Sequence, residues 1–192
     1  MRASILLVSL LGFTSLAACG GGAAKKNALP TPSPSASPAA KVGGAHALAL
    51  IESRSDSTVA GTANFTAVEG GVLVEVAING ATPGTHGIHL HETGDCSAPD
   101  AASAGGHFNP SKMNHGAPTA DPHHGGDLGN IEVGADGTGK LALTLQGLTV
   151  SPGEYSVVGR AIVVHADADD LATQPSGNSG KRQGCGVILF SE

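Results

Sequence analysis

Eight short apolar runs separated by turn residues constrain this chain more than any other feature. They are Ala47 to Ile51, Gly61 to Val68, Val72 to Ile78, Thr85 to His91, Leu128 to Val133, Lys140 to Leu145, Ala161 to His165 and Val187 to Phe190. Most alternate with period two, the pattern of a strand that buries one face. No segment longer than ten residues carries a helical stripe. Aromatics make up 3% of the chain and Trp is absent, whereas Gly numbers 29, so the core has to come from Val, Ile, Leu and Ala. Asn79-Gly80 and the stretch Ala135-Asp136-Gly137-Thr138-Gly139 are hairpin-type signals. The expected class is all-β, an antiparallel sandwich or flattened barrel.

The first 44 residues are of another kind. Arg2, the apolar stretch Ile5 to Phe13 and the small residues after it read as a signal peptide spanning residues 1–18, too short to cross a bilayer. Its end, Leu16-Ala17-Ala18-Cys19, resembles the bacterial lipobox, which makes Cys19 a candidate lipid anchor; an ordinary signal peptide cut near Ala18 is the alternative. Residues 19–44 are mostly Gly, Ala, Pro, Ser and Thr with three lysines, a flexible tether by composition, and residues 45–192 are expected to form the folded domain. Loss of residues 1–18 removes Arg2 and no acid, leaving nine Lys+Arg against sixteen Asp+Glu. That balance argues against a nucleic-acid partner.

With Cys19 assigned to the anchor, Cys96 and Cys185 remain. Outside the cytoplasm an even pair is most simply a disulfide, here closing about 90 residues. Two long irregular stretches, Glu92 to Gly126 and Ala166 to Gly184, interrupt the strand pattern, and stretches of that length in a compact domain are usually functional.

They also carry chemistry. His89 and His91 lie two apart in a strand and project from one face, where both can meet a single ion. His107, His115, His124 and Asp127 follow in a Gly-, Pro- and Asn-rich loop able to fold back on a metal, and His165 ends a later strand. Zinc takes four ligands from His, Cys and carboxylate, and imidazole-rich sites with distorted planar geometry suit copper. Seven ligand residues are one short of two four-coordinate sites, so one His would serve both as a bridging imidazolate. Spacing favours His124 over its neighbour His123. His86, three and five residues from the His89/His91 pair in parity terms, points to the opposite face and reads as a surface or strand-end residue, and His46 is uninformative. Asp95, Asp167 and Asp170 read as exposed loop acids and Lys181 as a solvated loop lysine that could also draw in anions.

Five segments in order, Gly87-Ile-His-Leu-His-Glu, Gly105-Gly-His-Phe-Asn-Pro, His124-Gly-Gly-Asp-Leu-Gly-Asn, Val163-Val-His-Ala-Asp-Ala-Asp-Asp and Gly180-Lys-Arg-Gln-Gly-Cys-Gly-Val-Ile, resemble the copper/zinc superoxide dismutases over about residues 45–192. The lipobox and tether make the chain similar to the bacterial, envelope-anchored branch. The resemblance implies an eight-stranded Greek-key barrel, immunoglobulin-like, with two long functional loops. It also implies an enzyme that converts superoxide to dioxygen and hydrogen peroxide. By position, copper would be held by His89, His91, His107 and His165, and zinc by His107, His115, His124 and Asp127. His107 would bridge and move a proton, and Arg182 would bind the incoming anion. Asp169 would join His89 to His115. The expected location is extracytoplasmic, lipid-anchored through Cys19 to the bacterial cell envelope, and the sequence is compatible with a homodimer. A copper or zinc storage or delivery module of the same fold is the rival reading; such a module needs the ligands but not Arg182. An adhesion domain would leave the seven ligands unexplained.

Overall fold

The computed structural model describes residues 44–191. The expected signal peptide, Cys19 and the expected tether except Gly44 lie outside the described residues. The strands are β1 (His46–Ser53), β2 (Ala60–Val68), β3 (Gly71–Asn79), β4 (Gly84–His91), β5 (Asp127–Val133), β6 (Gly139–Gln146), β7 (Ala161–His165), β8 (Arg182–Val187) and β9 (Leu189–Ser191). All pair antiparallel in the order β2-β3-β6-β5-β4-β7-β8-β1-β9, and a further β1–β2 pairing closes the ring into a barrel of eight strands, β1 to β8, with β9 continuing β8 along β1. Closure leaves no open edge around the barrel, which removes the main hazard of an exposed sheet.

Alternation decides which face turns inward. In β3, Val72, Val74, Val76 and Ile78 are buried while Glu75, Ala77 and Asn79 are exposed. The interior is filled by Phe65, Ile88, Leu90, Leu128, Ile131, Ile162 and Ile188, together with small aliphatics. A second, smaller apolar cluster of Cys96, Ala101, Ala104, Ala161, Val163 and Cys185 lies under the first long loop, and Cys96 and Cys185 are disulfide-bonded across it.

The structure departs from the sequence reading at two places. Asn79-Gly80 makes no hairpin: β3 pairs with β2 and β6, so the chain leaves the sheet there and crosses to β4. Of the two signals, the stretch around Gly137 does turn directly from one strand to its neighbour, from β5 to β6, with Gly134 N–H accepted by the Thr138 carbonyl at 2.9 Å. The last apolar run is likewise not one strand. Pairing begins earlier, at Arg182, and continues through Gly184-Cys185-Gly186. Apolar periodicity cannot register glycines, yet this strand needs them: a Cβ on Gly186 would lie 2.5 Å from the Leu50 carbonyl oxygen of β1.

Candidate metal centre

The outer face of β4, opposite Ile88 and Leu90, presents His89 and His91. The first long loop is laced back onto this strand. Phe108 N–H donates to the Leu90 carbonyl at 2.7 Å, Gly126 N–H to the Phe108 carbonyl at 2.8 Å and Leu90 N–H to the Gly126 carbonyl at 2.8 Å. An isolated β-bridge sets His107 beside His91, and the strand register sets Asp127, first residue of β5, beside His89. His165 comes from the end of β7, the neighbour of β4 on its other side. His115 and His124 are brought in by the loop, and all seven side chains are buried.

They fall into two groups sharing one residue. His89, His91, His107 and His165 form one, and His107, His115, His124 and Asp127 the other, with the candidate ligand atoms of each group within 4.8 Å of one another. Among the described residues, five buried side-chain polar atoms lack a hydrogen-bond partner, and four of them are His89 Nδ1 and the Nε2 atoms of His91, His107 and His165. Buried polar atoms are nearly always satisfied, so four unsatisfied nitrogens in one group ask for a cation. The opposite ring nitrogens are occupied: His89 Nε2 lies 2.8 Å from Asp169 Oδ2, His91 Nδ1 2.9 Å from the Gly105 carbonyl and His165 Nδ1 3.3 Å from the Gly180 carbonyl. Such partners hold each ring with its free lone pair inward. Four imidazole nitrogens suit copper.

His107 faces both ways. Its Nδ1 is 2.9 Å from Asp127 Oδ1, which also lies 3.0 Å from His115 Nδ1 and 3.3 Å from His124 Nδ1. Three imidazoles and a carboxylate suit zinc. The structure brings His124 to Asp127, whereas His123 turns aside and its Nδ1 meets the His124 carbonyl at 2.7 Å.

Electrostatics keep these groups in ligand form. Burial, only partly opposed by the hydrogen bond to Asp169, pushes His89 down to about 4; burial and the neighbouring His89 push His165 down to about 3; burial likewise pushes His91 well below its ordinary range. Burial alone would raise Asp127, but His107 and His124, with the backbone N–H groups of His124 and Gly116, hold it well below the usual carboxylate range. Asp169 is lowered in the same way, its burial outweighed by bonds from His89, the Leu171 N–H and His115.

A cavity of about 470 Å³ opens over the first group and is lined by His91, His107, His165 and Arg182 among others. The half-buried Arg182 guanidinium is fixed by Nη1–H to the Ala101 carbonyl and Nη2–H to the Gly105 carbonyl, both at 2.7 Å. Gly105 therefore ties Arg182 to His91 through one oxygen. Burial lowers Arg182 from its ordinary value, too high for it to lose its charge at neutral pH. Lys181 is exposed and lines an adjoining cavity with Asp56 and Asp100, whose charges oppose its own.

Sequence reasoning placed His86 at the surface, and this is corrected: it is 2% exposed, with Nδ1 2.9 Å from the His165 carbonyl and Nε2 2.8 Å from the Thr82 carbonyl. The face opposite the ligands is the barrel interior, so a His there must meet backbone acceptors. Asn130 ends the His124-Gly-Gly-Asp-Leu-Gly-Asn segment, and nothing in its sequence setting signals a role. Its side chain brackets Asp169, Oδ1 accepting from the Asp169 N–H at 2.7 Å and Nδ2 donating to its carbonyl at 2.9 Å.

Against known proteins, the family model described as copper/zinc superoxide dismutase matches residues 59–188. The Cu-Zn superoxide dismutase of Deinococcus radiodurans is 46% identical over 141 residues, covering 68% of this chain and 77% of that protein. Cu-Zn superoxide dismutase 3 of Arabidopsis thaliana is 40% identical over 153 residues, covering 76% and 91%. An extracellular Cu-Zn superoxide dismutase of Brugia pahangi is 38% identical over 156 residues, covering 77% of each. Among solved structures, the clock protein EA4 superposes with a TM-score of 0.69 at 37% identity, covering 77% of this chain and 96% of that one.

Proposed function

The chain belongs to the copper/zinc superoxide dismutase family, and from that premise we propose that His89, His91, His107 and His165 hold the copper and His107, His115, His124 and Asp127 the zinc. The reaction consumes two superoxide anions and two protons and yields dioxygen and hydrogen peroxide. When bound, copper supplies the one-electron couple that both halves of the reaction need, and zinc a fixed positive charge without redox chemistry. The observation that carries the assignment is His107, whose Nε2 is unsatisfied among the first group while its Nδ1 lies on the Asp127 side.

Arg182 receives the anion. Its two bonds to backbone carbonyls hold the guanidinium at the cavity wall, leaving its outward donors for a small oxyanion. Superoxide is small enough to enter beside His91 and His165, and the buried site behind them admits nothing bulky. His107 Nε2, on the same wall, is the nitrogen that holds a proton and passes it to the departing peroxide; a proton from water completes the product. Asp169 keeps His89 and His115 in register from behind. A storage module would not need a fixed cation facing the solvent cavity, which disfavours that reading.

The disulfide between Cys96 and Cys185 and the likeness to an extracellular relative support a location outside the cytoplasm. Residues 1–18 are then the leader, Cys19 the lipid-bearing residue and residues 19–44 the tether that holds the 45–192 domain off the membrane; the Leu16-Ala17-Ala18-Cys19 sequence supports this. The deciding experiment measures superoxide dismutation by the purified protein with copper and zinc counted in the same sample. About one copper and one zinc per chain are expected, with activity tracking copper and both activity and copper lost in His91→Ala. Full activity in that variant refutes the copper assignment, and two bound metals without activity would favour the storage reading.

A further inference from the structure

Asp169 touches both metal groups from behind, and its position is over-determined from three directions. Oδ2 meets His89 Nε2 at 2.8 Å, Oδ1 meets His115 Nε2 at 3.0 Å and the Leu171 N–H at 2.7 Å, and Asn130 grips its backbone on both sides. One approach to the carboxylate is open only because a side chain is missing. A Cβ built on Gly177 would lie 1.8 Å from Asp169 Oδ1, 2.6 Å from its Cγ and 2.8 Å from His115 Nε2. Gly177 is itself pinned, its N–H donating to the Thr173 carbonyl at 2.7 Å and its carbonyl accepting from the Asp170 N–H at 2.9 Å, with φ at +65°. Neither side can yield without breaking a bond: the carboxylate is attached to His89 and to the Leu171 N–H, and the loop to Thr173 and Asp170.

We propose that Gly177 is a positioning residue for the zinc group, its missing side chain being what lets the Asp169 carboxylate reach His115 and hold that imidazole toward Asp127. The inference rests on the reading of His115 as a zinc ligand. A side chain at 177 presses hardest on Oδ1, the oxygen shared with His115, while Oδ2, the oxygen shared with His89, is not among its three nearest atoms. Zinc therefore loosens before copper does. Loss of a hydrogen-bond partner behind a metal-binding His weakens metal affinity by about 10- to 100-fold.

The test titrates the metal-stripped full chain with zinc alone against a chromophoric chelator. Gly147 provides the control, since its φ is +73° and a Cβ there meets nothing within 4 Å; Gly147→Ala carries the backbone penalty of a left-handed position without the contact. Gly177→Ala is expected to weaken zinc about 10- to 100-fold, with Gly147→Ala within about twofold of the parent and copper affinity nearly unchanged. In an Asp169→Ala background the Gly177→Ala change should add less than it does in the parent, because the carboxylate it displaces is gone and only the 2.8 Å approach to His115 Nε2 remains. Parent-like zinc binding by Gly177→Ala, or an equal further loss in the Asp169→Ala background, overturns the inference while leaving the site assignment standing. Failure of the parent itself to bind zinc sinks the site reading and the inference with it. If Gly177→Ala alone does not fold, recovery of folding in the Asp169→Ala background supports the proposal; misfolding in both overturns it, since Gly177 would then serve the loop and not the carboxylate.

Discussion

Replacing both bridge cysteines, Cys96→Ala with Cys185→Ala, opens a loop whose ends are 89 residues apart in sequence. In the chain-entropy treatment a cross-link of that span stabilises by roughly 4 to 5 kcal/mol, chiefly by restricting the unfolded chain. The two sulfurs are also buried among Ala101, Ala104, Ala161 and Val163, so truncation removes packing worth about 1 kcal/mol per site. The total, roughly 6 to 7 kcal/mol, rivals the whole stability of an ordinary domain. The assay is urea unfolding of the parent and variant, both stripped of metal so that ligand binding does not add to the folded state. Two signs are expected together: a large fall in the midpoint, with thermal unfolding moving down by about 10 to 20 °C, and a larger m-value, because an uncrosslinked chain exposes more surface when unfolded. A loss below about 1 kcal/mol at unchanged m-value would refute the argument from loop closure. The bridge also bears on the site, since Cys96 and Ala101, whose carbonyl accepts from Arg182, belong to one cluster. Loss of the bridge should therefore lower activity even where the variant is still folded and metal-loaded.

Arg182→Ala should keep both metals and lower kcat/KM about ten- to a hundredfold, the range over which a local positive field raises anion capture; direct superoxide decay kinetics beside metal analysis decide this, and an undiminished rate would remove Arg182 from the reaction. Arg182→Lys should recover only part, because one ammonium cannot span the Ala101 and Gly105 carbonyls and still face the cavity. The exposed Asp170 is held at about 2 by the Thr173 hydroxyl and N–H and the Ala172 N–H. Because the folded value lies below the ordinary 3.8, its contribution to stability is complete above about pH 4 and is lost as pH falls toward 2; an NMR titration of that carboxyl centred near 4 would show that these bonds do not persist in solution.

The strand pattern and the candidate ligand residues were legible in the amino-acid sequence because both rest on local rules. Alternation in Val72 to Ile78 exposes the strand and its buried face, and the two-residue spacing of His89 and His91 commits both to one side whatever the rest of the fold does. Residue type and order also carried the family motifs. Where local rules fail, the reading failed. Gly184 and Gly186 have no hydropathy, so β8 was begun late; Asn79-Gly80 has hairpin chemistry, yet β3 finds its next partner in β6, which is a matter of topology.

His86 shows the limit most clearly. Parity indicated its face, but only the closed barrel makes that face an interior, and only tertiary packing delivers the His165 and Thr82 carbonyls to its ring. Composition and spacing determined an all-β domain with seven candidate metal-ligand residues. The tertiary structure decided which nitrogen of each ring turns inward, that His107 faces both groups, and that Asn130 and Gly177 shape the setting of Asp169. Most of those outcomes depend on contacts between residues 14 to 80 positions apart. A chain becomes committed to such contacts only when its strands close around one core.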